Sequence, residues 1–389
     1  MDDVLSDANH SWGEEMRKLF VVIICFFLYG CSTPNRVVND ASYIKRTTEE
    51  KSIITKQFFS KSSFKPIAMA ENEDFYSINE WYDEDTVIYS VGEKEMSSLF
   101  LHNLLSGKRN LFYQTNEFIT KIQANSAHSL FAVQTLEQSG DSHIRILDKM
   151  GKEVFSWDNK IEDLQFMWNP YEPDELVITE FLSYMEFQLL KVNISTKDIT
   201  EIPVNNPFVQ WTSRDELGFL NWDQNEPSLD APLILFNLKT LKEEEWFKNC
   251  IMLFTLKDVV ITVSLDNNDL NKSLYTFYES KTRKKLTEVH IPILNTFSEA
   301  WWIPSFDFDE DKKIFYYMKP KRAGDISEYN EGYELTALSI DDQKEEVLMK
   351  IPNNYPIKLS PDGQQCLIGQ QLEQVITISN QQMTNLISN

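Results

Sequence analysis

The sequence predicts an all-β fold, a β-propeller of four-stranded blades, and three observations carry that prediction. A polar turn followed by a β-rich strand recurs seven times. The end of the next strand forms a second landmark at nearly constant spacing. No stretch sustains the 3.6-residue apolar period that a helical solenoid requires.

The first landmark reads Asp83-Glu84-Asp85 before Thr86-Val87-Ile88-Tyr89, then Asn125 to His128, Pro173 to Glu175 and Ser213 to Glu216. It recurs as Lys257-Asp258, Asp309 to Asp311 and Ser360-Pro361-Asp362-Gly363. The second landmark falls at Asn103, Asp148, Asn193, Asn237, Tyr278, Ser339 and Asn380, with intervals of 45, 45, 44, 41, 61 and 41 residues. The long interval carries an insertion, Lys319 to Gly332. Several third strands alternate, as in Leu99-Phe100-Leu101-His102. Short strands at about 40–45 residues per unit are the mark of a propeller. A β-sandwich has no reason to repeat the pattern seven times. Seven units are counted from about Glu73 to Ile387.

Ahead of the repeats the chain reads as an address. Arg17 and Lys18 precede an apolar run, Leu19 to Tyr29, of signal-peptide length and too short for a membrane-spanning helix. The run ends Leu28-Tyr29-Gly30-Cys31, which resembles the bacterial lipobox Leu-x-Gly-Cys. That resemblance implies a diacylglycerol thioether on Cys31, cleavage before it and acylation of the new amino group. Tyr29 is bulkier than the usual occupant. Two or more acyl chains give stable anchoring. Asp2, Asp3, Asp7, Glu14 and Glu15 put negative charge ahead of the signal, opposite to the usual sign, so Met16 is the expected start. The expected divisions are therefore residues 1–30 for export, 31–70 for the lipidated cysteine and a polar tether, and 71–389 for the propeller. Residues 33–66 hold seven basic and three acidic side chains. That balance suits an anionic membrane surface and equally suits an ordinary linker.

Composition narrows the function. Net charge is −23, which argues against nucleic acid as a partner, since phosphate backbones demand a basic surface. Of four cysteines only Cys250 and Cys366 fall in the folded part, and no CxxC pair exists. One bridge between those two stays open.

The Leu-Tyr-Gly-Cys terminus, the tether and the repeats together resemble the YqgU-like lipoproteins of Gram-positive bacteria. The resemblance covers most of the chain and implies a six-bladed propeller against the seven units counted. It implies location and architecture, and no activity.

Catalytic motifs are absent at the level of sequence. The five histidines form no His-Glu-x-x-His, and there is no Gly-x-Ser-x-Gly elbow or phosphate-binding glycine loop. No cofactor is expected. Asp266 and Asp269, and the alternating Asp307, Asp309 and Asp311, are weak calcium candidates. Turn chemistry explains both runs equally well. In a propeller the loops between second and third strands share a face with the inter-blade connections. Trp222 to Asp230, Asp266 to Lys272 and the insertion lie there, with Trp301 and Trp302 in a connection. Trp222, Trp301 and Trp302 are the ligand-binding candidates. The competing reading is that the paired tryptophans fill the inter-blade core.

The expected function is a lipid-anchored module on the extracytoplasmic face of the cell membrane, binding or scaffolding an envelope protein, peptide or glycan. One alternative is a hydrolase or lyase with carboxylates around the central channel. Another is a purely structural envelope component.

Overall fold

The computed structural model describes residues 64–388, apart from 94–95, 160, 162, 183–185, 224–227 and 297–300. Seven four-stranded antiparallel sheets follow one another along the chain, each a simple meander. They span residues 74–115, 118–157, 163–201, 210–250, 252–292, 306–351 and 357–385, here blades 1 to 7. The seven-unit count therefore holds. Third strands end at Asn103, Asp148, Asn193, Asn237 and Ser339 as expected, and at Glu279 and Thr377 where Tyr278 and Asn380 were expected.

Burial explains the sequence pattern. Second and third strands are covered on both faces by neighbouring blades, so Leu130–Leu136 and Ser142–Asp148 are almost wholly buried. Fourth strands form the outer rim and carry charge. Lys242–Cys250 opens Lys-Glu-Glu-Glu and Lys344–Ile351 opens Lys-Glu-Glu, all exposed. Charge on an outer edge discourages pairing with other chains, and here it also supplies part of the acidic balance.

Because each blade is a meander, its first strand starts on the same face as its second-to-third loop and its link from the preceding blade. We call this the loop face. The opposite face carries the tight turns. Gly363 sits in one of them at φ +61°, and a Cβ there would run into the Asp309 carboxylate of the neighbouring turn.

No strand is exchanged between blades 7 and 1, so the ring is closed by side chains and by the segment preceding blade 1. Ile67, fully buried, makes a parallel bridge with Ile387. Its N–H donates to Leu386 O at 2.6 Å, while Lys65 N–H donates to Leu104 O of blade 1 at 2.6 Å. His102, buried in blade 1, contacts the Lys65 carbonyl at 2.8 Å through Nε2. Phe64, Ile67 and Met69 thus belong to the blade 7–blade 1 core. Lys65 and Ile67, within the stretch expected as tether, thus give the open seam its apolar cover and backbone partners.

The insertion is folded onto the ring. Gly324–Asp325 pairs in parallel with Leu294–Asn295 of the blade 5–blade 6 connection. Residues 1–63, with the expected export segment and Cys31, lie outside the described residues.

Candidate functional site

The first strand of every blade is an inner edge strand, and its open backbone groups must find partners at the central channel. Side chains of adjacent blades supply them in a repeated arrangement. Trp81, Trp168 and Trp211 donate their indole N–H to the carbonyls of Lys358, Gln123 and Met167 in the preceding blade, at 3.1, 3.1 and 3.5 Å. Glu80, Gln210 and Asp307 accept the N–H of Ala124, Thr255 and Leu359 in the following blade, at 3.1, 3.0 and 2.6 Å. These bonds align all seven blades on one position. At the residue before it stand Glu80, Gln123, Met167, Gln210, Phe254, Asp307 and Lys358. The channel level is thus largely polar, and its identity changes around the ring.

Across blades 6, 7 and 1 the polar groups satisfy each other. Lys358 Nζ donates to Glu80 Oε2 at 2.7 Å. Asp307 accepts from Leu359 N–H and from Phe308 N–H at 2.8 Å. Burial nevertheless pushes the Asp307 carboxyl up to about 6, against the pull of those N–H groups and of Lys358. Asp307 is enclosed by protein yet partly open to water, as befits a channel wall.

Across blades 2 and 3 polar groups are left over. Lys121 projects from a bulge in Phe118–Ala124, where Thr120 turns aside to bond the Gln134 carbonyl. Its ammonium lies 4.5 Å over the Phe166 ring. Among the described residues no carboxylate pairs with it, and its pKa is lowered by enclosure first and by repulsion from Lys358 second. Lys121 is also open to water, which places it inside a wet channel and not in a dry core. The side-chain amides of Gln123 and Gln165 have no hydrogen-bond partner among the described residues. These groups line a cavity of about 350 Å³ with Phe166, Phe208 and Gln210. It opens on the loop face, where first strands begin and where Pro207-Phe208-Val209 enters blade 4.

Phe208 stands at that opening, and further exposed apolar side chains share its face. Tyr76, Phe118, Leu182, Phe208, Trp222 and Leu270 follow the loop face from blade 1 to blade 5. Phe208, 56% exposed, contacts the Phe181 ring at 6.0 Å, and Tyr76 meets Phe118 edge-on at 5.7 Å.

The residues singled out from sequence fall in several places. Trp222 is exposed on the loop face. Trp301 is half-buried, and Trp302 is only 9% exposed, stacked on Tyr333 at 6.1 Å within the core of blades 5 to 7. Asp266 is occupied by the Asn268 N–H at 2.8 Å and by His290 at 2.7 Å. Asp269 is occupied by Asn271 and by Lys272. Asp309 caps its turn through Lys312 N–H and pairs with Lys312 Nζ, Asp311 is exposed, and Asp307 faces the channel. Among the described residues no three Asp, Glu, His or Cys side chains gather to hold a metal ion. Cys250 and Cys366 are both buried free thiols.

Sequence reasoning missed Lys121, Gln123, Gln165 and Phe208. Lys121 depends on a bulge that no local pattern announces. The tryptophan fasteners were detectable, since Trp168 and Trp211 lie 43 residues apart, one repeat.

Comparison with known proteins agrees with this architecture. The chain is 23% identical to an uncharacterised lipoprotein, YqgU, of Bacillus subtilis (strain 168), over 95% of this chain and 96% of that one. The uncharacterised protein lmo1340 of Listeria monocytogenes EGD-e superposes with a TM-score of 0.76 at 20% identity, covering 84% of this chain and 98% of that one. The propeller domain of the Trilobed protease from Pyrococcus furiosus, described as having an open velcro topology, gives 0.53 at 12% identity, covering 82% and 99%. A family model described as a YqgU-like 6-bladed β-propeller domain matches residues 103–369. That span holds blades 2 to 6 whole, with the end of blade 1 and half of blade 7. The chain therefore belongs to the YqgU-like propeller family, with seven four-stranded blades where the family's description counts six.

Proposed function

We propose that the protein is a lipid-anchored extracytoplasmic binding module that holds its ligand on the loop face, over the channel-mouth cavity of blades 2 to 4. The observation that carries this reading is the coincidence of an open cavity with an arc of exposed apolar side chains on one face. Exposed apolar groups concentrated around a concavity mark binding surfaces more often than scattered ones do. Residues 1–30 serve as the export signal and Cys31 as the lipid attachment site, followed by the tether. The Leu-Tyr-Gly-Cys pattern and the relative's description as a lipoprotein support this. Trp222 and Trp301 are secondary contacts at the rim. Trp302 is better suited to fixing the insertion, given its stacking on Tyr333.

The channel enzyme remains a weaker reading. Glu80 and Asp307 do stand in the channel, but both carboxylates accept backbone N–H groups of the next blade, a fastening role.

Saturation-transfer NMR on the full chain in lipid nanodiscs, with separated peptide and glycan fractions of envelope digests, tests the module. One fraction should give transfer signals that Phe208→Ser abolishes. Signals that ignore Phe208→Ser, or no signal from any fraction, would contradict it. Intact mass of the membrane-extracted protein tests the anchor: a chain beginning at acylated Cys31 is expected, and an unmodified full-length chain would refute it.

A further inference from the structure

We infer that the channel-mouth cavity recognises a peptide C-terminus: Lys121 takes the terminal carboxylate, the free amides of Gln123 and Gln165 take the last peptide groups, and the apolar wall takes the final side chain. The inference rests on the binding-module reading and names its ligand.

Charge is the first reason. The chain carries −23 overall, and the other lysine of the channel wall, Lys358, sits beside the Glu80 carboxylate. Lys121 does not. It stands 4.5 Å over the Phe166 ring, open to water in the cavity wall, where an entering carboxylate meets a cation with no competing ion pair among the described residues.

The remaining wall selects among carboxylates. Gln123 and Gln165 offer both donors and acceptors, which matches the alternating N–H and C=O of a peptide. Gln210 does not compete, because its amide is engaged by Thr255 and the Leu253 carbonyl. The apolar wall is built from Val177, Pro207, Phe208 and Met167. With Phe166 it forms a mixed aliphatic and aromatic lining for a side chain. An acidic sugar would call for a flat Trp or Tyr platform, and none lines the cavity. A volume of about 350 Å³ suits one or two terminal residues. Capture of a terminal carboxylate is a recurrent mode of peptide recognition.

The test uses calorimetric titration of the full chain in nanodiscs with acetyl-Ala-Gly-Ala-Leu as the free acid, the same peptide as its C-terminal amide, and hexanoate. The free acid should bind at least tenfold more tightly than either other probe. Lys121→Gln should bring the acid down to the level of the amide and leave the amide unchanged. Phe208→Ala should weaken the acid severalfold. Lys121 is open to water and unpaired, so both variants should keep the wild-type melting temperature. Equal binding of acid and amide, or an unmoved affinity in Lys121→Gln, overturns the carboxylate assignment. Hexanoate matching the peptide overturns the peptide assignment in favour of a small amphiphilic acid. If no peptide binds while a glycan fraction still responds to Phe208→Ser, this inference falls and the module stands. If no fraction responds either, both fall.

Discussion

The two sides of the central channel use their first strands for opposite purposes. Around blades 6, 7 and 1, Asp307, Lys358 and Glu80 are consumed by one another and by backbone groups. Around blades 2, 3 and 4, Lys121, Gln123 and Gln165 have no such partners and face a cavity. The first side includes the seam, where no covalent connection joins blade 7 to blade 1 and the Lys358–Glu80 pair spans the gap. The second lies among covalently linked blades, where Trp168 and Trp211 already hold the strands together. A group that closes the ring is not free for a ligand, and a group that the ring does not need is.

Substitutions on the two sides should therefore behave differently. The largest effect is expected at the seam. Trp81 is fully buried and bonded to the Lys358 carbonyl, so Trp81→Ala should cost about 3–5 kcal/mol in urea unfolding. Trp222→Ala, on the exposed face, should stay within about 0.5 kcal/mol. Similar losses at both would erase the distinction between fastener and surface.

A second contrast sets one lysine against another. Lys358→Met strands the buried Glu80 carboxylate and should cost about 2–4 kcal/mol. Lys121→Met removes an unpaired cation and should be neutral or slightly stabilising. Ile67→Ala should cost about 2–4 kcal/mol by opening a cavity in the seam, although the residue lies outside every blade. A small effect there would mean that the segment before blade 1 does not close the ring.

The smallest effect concerns pH. Asp307 is raised from 3.8 to about 6 in the folded protein, so the folded state holds its proton more tightly than the unfolded chain does. Its contribution to stability is fully present below about pH 4 and is lost as pH rises through about 6. Water in the channel reduces what such a shift is worth, leaving on the order of 1–2 kcal/mol. Asp307→Asn should remove this component from the stability profile between pH 4 and 7, while keeping its place beside Leu359. An unchanged profile in the variant would show that Asp307 titrates as an ordinary exposed carboxyl.

Much of the fold was legible because a propeller repeats its turns. The Asp- and Asn-rich turns are fixed by local backbone chemistry, and local chemistry is what a sequence displays. Third strands were placed to the residue in five blades for the same reason. The seam was not legible, since Ile67 looks like any apolar residue in a polar stretch until Ile387 is brought beside it. Nor was the channel: its wall is one residue from each of seven strands, and only the closed ring assembles them. The tryptophans illustrate the difference. Trp301 and Trp302 stand out in sequence as a pair, yet Trp302 spends its ring on Tyr333. Trp81, Trp168 and Trp211 attract no notice singly and fasten the channel. Chemistry carried by residue type alone was readable, whereas chemistry created by adjacency across blades required the structure.

The most direct test of this division is a paired measurement on Lys121→Gln: its unfolding free energy in urea and its affinity for the free-acid peptide. The account predicts stability within about 0.5 kcal/mol of wild type and at least a tenfold loss of affinity. A variant that loses several kcal/mol of stability and keeps its affinity would contradict it, making Lys121 one more fastener of the ring.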